Sequence, residues 1–63
     1  MKVWQVTYYQ ANRWGSMQEY GKRFPATLTI WEVRSKMDRW VADQQSKGKP
    51  IFPQYDVVEE NVA

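Results

Sequence analysis

Residues 29–50, TIWEVRSKMDRWVADQQSKGKP, read as one helix with both of its ends marked. Thr29 stands three residues before Glu32, the spacing of a capping box, in which the hydroxyl accepts from the amide of residue 32 and the carboxylate reaches back to residue 29. At about 100° per residue, Ile30, Val33, Met37, Trp40, Val41 and Gln44 share a stripe, and Glu32, Lys36, Arg39 and Asp43 lie across from it. Glu32 with Lys36 and Arg34 with Asp38 are opposite charges four apart, the spacing at which side chains on a helix meet. Lys47 suits the negative end of the helix, Gly48 a left-handed C-terminal position, and Pro50 blocks continuation. A helix over about 30–47 with one apolar stripe must lie on something, and the flanking segments supply it.

Upstream, KVWQVTYYQ (residues 2–10) alternates with period two: Trp4, Val6 and Tyr8 to one side, Val3, Gln5, Thr7 and Tyr9 to the other. ANRWGS (11–16) carries Asn12 and Gly15, residues that tolerate tight turns. MQEYGKRF (17–24) brings Tyr20 and Phe24 to one face, with Gly21 permitting a bulge, and Pro25, without an amide hydrogen, is expected to stop the ladder. This is a hairpin over 2–24. Downstream, IFPQYDVVE (51–59) is extended again, with Pro53 suited to an edge strand, and 61–63 reads as a frayed tail. The expected fold is a single α+β domain spanning 1–63: a small three-stranded, mainly antiparallel sheet in the order β-β-α-β, with one amphipathic helix packed on one face.

Composition narrows function more by exclusion than by motif. The 63 residues contain no Cys and no His, which removes disulfides, thiolate metal sites, the commonest metal ligand and the commonest general base. Ser35 and Lys36 are helix neighbours that point about 100° apart, no glycine-rich phosphate loop exists, and the clustered acids Asp56, Glu59 and Glu60 sit in a solvated tail. No catalytic role, cofactor or metal is expected. Lacking a long apolar run or a signal-like start, the chain reads as cytoplasmic with no membrane partner.

What the chain has in excess is aromatic surface: four Trp, four Tyr and two Phe. Ten such side chains are more than a core this small requires, so some are expected at a binding surface. Trp14, beside Arg13, lies in the turn, where it is either an anchor or a cap on the open end of the core. Trp31, near Arg34, falls about 130° from the apolar centre of the helix and either meets the preceding loop or is exposed. Tyr9 faces away from the core. Arg13, Trp14, Trp31, Arg34 and Tyr9 are therefore the candidate partner-binding residues.

Residues 1–55 hold all nine Lys and Arg but only four acids, a surplus of five that the acidic tail reduces to +2. A basic body with spare aromatics and exposed sheet edges fits a small protein-binding inhibitor or adaptor acting on a host or cognate protein. The alternative is a single-stranded nucleic-acid binder, stacking bases on the open sheet face with Arg13, Lys22, Arg23, Arg34, Lys36 and Arg39 around it. A self-assembling structural subunit, a homo-oligomer, is the third reading, because so small a core gains from association. In length and element order, with VWQVT in the first strand and FPATLTIWEV leading into the helix, the chain resembles the small inhibitors of host RNA polymerase made by lytic phages. That resemblance implies a phage-encoded protein that blocks a host machine; the tail differs, and no binding residue carries over.

Overall fold

A computed structural model describes residues 1–62. The elements run β1 (Lys2–Ala11), β2 (Met17–Pro25), α1 (Ile30–Ser46) and β3 (Ile51–Asn61), and the sheet order is β2-β1-β3 with both pairings antiparallel. The α+β, β-β-α-β architecture expected from the pattern is the observed one. β1 is central, bonded on both sides, and buries Val6 and Tyr8 toward the helix. The core is Val6, Tyr8, Val33, Met37, Val41 and Ile51, closed by Trp4, Phe24, Leu28, Trp40, Tyr55 and Val57.

Hydrogen bonds at the strand ends fix which backbone groups are spoken for. The Asn12 N–H donates to the Ser16 carbonyl (2.8 Å) and the Ala11 N–H to the Pro50 carbonyl (2.9 Å). By the alternation of an antiparallel ladder, even-numbered residues of β1 exchange their bonds with β2 and odd-numbered ones with β3. Met17, Glu19, Gly21 and Arg23 of β2 therefore turn their N–H and C=O groups to a free edge. Pro25 pairs with Val3 as the last residue of β2, one position beyond the expected stop. Its nitrogen faces that free edge, where no ladder bond is lost.

The helix ends as the sequence marks them. Both capping-box bonds form, with Glu32 N–H to Thr29 Oγ1 at 3.2 Å and Thr29 N–H to Glu32 Oε1 at 2.9 Å. Gly48, at φ 78°, donates to the Gln45 carbonyl while the Lys49 N–H reaches Gln44, which satisfies the last turn. The two expected charge pairs on the helix do not form. The Glu32 carboxylate is held by the cap, and Asp38 accepts instead from the Tyr55 hydroxyl at 2.6 Å. Lys47 pairs with Asp43 at 3.0 Å.

Three further expectations are corrected. β2 has no bulge at Gly21, which lies directly opposite Thr7; a Cβ there would stand 2.8 Å from Gln5 Nε2, so the glycine leaves room for the Gln5 side chain. The irregularity is in β3, where the residues between Ile51 and Tyr55, Pro53 among them, face only Tyr9 on β1. The third strand runs two residues past the expected end, Asn61 pairing with Lys2, and Val62 N–H donates to the Met1 carbonyl at 2.8 Å. Ala63, the last residue of the expected frayed tail, lies outside the described residues.

Candidate functional site

Two aromatic positions stand out of the surface. Trp14 is 76 % and Trp31 74 % exposed, so neither caps the core nor packs on a loop. The turn that carries Trp14 is pinned by one residue: Asn12 Oδ1 accepts from the N–H groups of Trp14 (2.9 Å) and Ser16 (3.0 Å), and its carbonyl accepts from Gly15 at 3.0 Å. Gly15 takes φ 79°, which the side-chain-free residue does without strain. The Arg13 guanidinium lies over the Trp14 ring, 4.6 Å from a ring centroid. Met17, 63 % exposed at the foot of the same turn, lies opposite Ala11. A large rigid side chain on a rigid turn costs little entropy to bury against a partner.

Trp31 lies in the first turn of the helix, at the other end of the molecule. β1 runs from Lys2 to the hairpin, β2 returns, and the helix begins after Pro25; ten residues of strand separate the ends by about 30 Å. The five candidates therefore form two groups: Tyr9, Arg13 and Trp14 toward the hairpin, Trp31 and Arg34 at the helix start. Tyr9 stands on the sheet face away from the helix, its hydroxyl 3.4 Å from Glu19 Oε1. The neighbouring carboxylate pushes its pKa above the usual tyrosine value, and partial desolvation adds to this.

The open sheet face is built from the odd-numbered residues of β1 and β2 and their partners on β3. It carries Glu19, Asp56 and Glu60 against Arg23, whose Nε donates to Gln5 Oε1 at 3.0 Å. Of the six basic residues invoked for nucleic acid, Arg23 alone belongs to this face. Arg34, Lys36 and Arg39 are on the helix across the sheet, and Arg13 is at the hairpin tip. Lys22 points to the helix side, its Nζ 3.6 Å from the Trp40 ring centroid, and desolvation there lowers its pKa. Sequence reasoning missed this contact, because Lys22 sits among polar neighbours whose alternation is poor.

An open groove of about 600 Å³ runs along the helix flank, lined by Glu32, Ser35, Lys36, Arg39, Trp40 and Asp43. Its charges are mixed and face solvent. Among the described residues no group of three or more potential metal ligands is assembled, and no helix is long and apolar enough to cross a membrane. No protein-family model, curated protein or solved structure matches the chain.

Proposed function

We propose that this chain is a small, non-catalytic protein-binding module that docks through the Trp14 hairpin, acting as an inhibitor or adaptor on a host or cognate protein in the cytoplasm. One observation carries the reading: an exposed tryptophan, with Arg13 over its ring, is displayed on a turn locked by Asn12. Trp and Arg are the side chains that most often dominate binding energy at protein interfaces, and a fixed turn spares them the cost of ordering. Trp31 with Arg34 is the second candidate surface. A nucleic-acid role fits less well, since the basic residues are split between the two sides of the sheet and the open face carries more acid than base.

The test is retention of a partner from source-cell lysate, with and without nuclease, followed by affinity measurement on the purified partner. The resemblance in element order makes host RNA polymerase the first protein to try. Trp14→Ala is expected to weaken binding by roughly 30-fold or more, the equivalent of about 2 kcal/mol, with its melting temperature near that of the parent. Salt should matter little, whereas a phosphate-bound ligand would lose orders of magnitude between low and moderate salt. Unchanged affinity in Trp14→Ala, or retention abolished by nuclease, overturns the reading.

A further inference from the structure

We infer that two copies of this chain pair along their free β2 edges, antiparallel and about a two-fold axis at Gly21, to make a continuous six-stranded sheet. This proposal is independent of the Trp14 reading and stands on the backbone and charge pattern of β2.

The backbone is ready for it. β2 pairs with β1 without a bulge from Met17 to Pro25, and Met17, Glu19, Gly21 and Arg23 direct their N–H and C=O groups outward, whereas Pro25 has no N–H and its carbonyl accepts from the Leu28 N–H at 3.1 Å. An unpaired edge of this length is a template for another strand. The opposite edge is not equivalent. β3 contains Pro53 inside its irregularity, and its strand carries Asp56, Glu59 and Glu60 but no Lys or Arg, so self-pairing there offers no cross-strand ion pair.

The side chains select both the occupant and the register. With the axis at Gly21, the two copies of that residue face each other without side chains of their own, each beside the Gln5 side chain of its own chain. Glu19 of each copy then lies directly opposite Arg23 of the other, twice by symmetry. On the helix side Tyr20 lies opposite Lys22, a cation beside a ring that is still 41 % exposed although it stacks on Tyr8 at 5.6 Å between centroids. Moving the axis to Lys22 brings two ammonium groups together. Moving it to Tyr20 sets Glu19 against Gly21 and Met17 against Arg23, and both charge pairs are lost. Neither Glu19 nor Arg23 forms an ion pair within the chain among the described residues. Opposite charges directly across a strand pair stabilise it and like charges destabilise it by similar amounts. A second copy of this chain therefore supplies the complement that the edge lacks. In such a dimer both helices lie on one face, and the two Trp14 hairpins project from opposite ends.

Sedimentation velocity of the parent, Glu19→Arg, Arg23→Glu and an equimolar mixture of the two variants, followed up to about 1 mM, decides the matter. The parent should dimerise, and each single variant, setting like charges opposite each other twice, should weaken the dimer by about tenfold or more. The mixture should restore it as a heterodimer, since one chain then carries positive charge at both positions of the pair and the other negative charge at both. Rescue on mixing cannot come from misfolded chains. A parent that stays monomeric throughout the range, single variants that associate as well as the parent, or a mixture that stays apart would each overturn the proposal.

Discussion

Tyr55 shows what a single side chain adds that local reading does not reach. Its one hydroxyl proton goes to the Asp38 carboxylate at 2.6 Å, with the Arg34 carbonyl a lesser acceptor at 3.0 Å, and this ties β3 to the helix. Desolvation, then the bond to Asp38 and its charge, push the Tyr55 pKa up to about 12. The unfolded chain releases this proton near 10, so between about pH 10 and 12 the unfolded state binds fewer protons than the folded one. The stabilisation is complete below pH 10 and is lost as pH rises toward 12. Ultraviolet titration should show a tyrosine ionising about two units late in the parent and absent in Tyr55→Phe, which should also soften the alkaline loss of stability. A Tyr55→Phe curve that overlays the parent's would refute this. Thr29, Glu32, Gly15 and Gly48 were legible because their partners lie within a few residues. Asp38 was not: four residues from Arg34 it reads as a helix ion pair, and only the approach of β3 gives it a better donor.

Trp40 marks the joint between elements. The helix packs mainly against β3, and on the other flank Trp40 closes the gap to β2. Its ring stands edge-on to Tyr8, 4.9 Å between centroids at 68°, while the Lys22 ammonium covers it. Trp40→Ala removes the ring that both Tyr8 and Lys22 contact and should cost about 3 kcal/mol or more, a large share of the stability of so small a domain. Urea unfolding should show this as a collapse of the midpoint; a midpoint within a few tenths molar of the parent's would mean that the ring carries little of the packing. The periodicity gave the helix face and the strand face correctly, since 3.6 and 2 are local properties of the chain. The irregularity opposite Tyr9 could not be read from IFPQYDVVE, because extra residues in one strand are visible only against the count in its partner.

At the scale of the molecule, the strand order decides which amides are sheltered. β1 is bonded on both sides, whereas Glu19, Gly21 and Arg23 on β2 have edge-facing N–H groups. Hydrogen exchange in dilute solution should leave Val6, Thr7 and Tyr8 among the slowest amides and the three edge amides among the fastest. Equal rates in the two sets would show that the sheet opens as a unit or is ordered differently. That Trp14 and Trp31 lie off the apolar stripes was legible, but the pattern leaves open whether each folds back onto the core end or the preceding loop, and both stand in solvent. Their separation was not legible, because it requires knowing that the helix starts at the end of the sheet opposite the hairpin. The same layout settles how the molecule can be held. Met1 N–H donates to the Val62 carbonyl at 3.2 Å and Val62 N–H to the Met1 carbonyl, so residues 1 and 62 meet at one corner far from the turn at Asn12. A bead, dye or fused carrier attached through either residue leaves from that corner, and the Trp14 hairpin is presented outward whichever attachment is chosen.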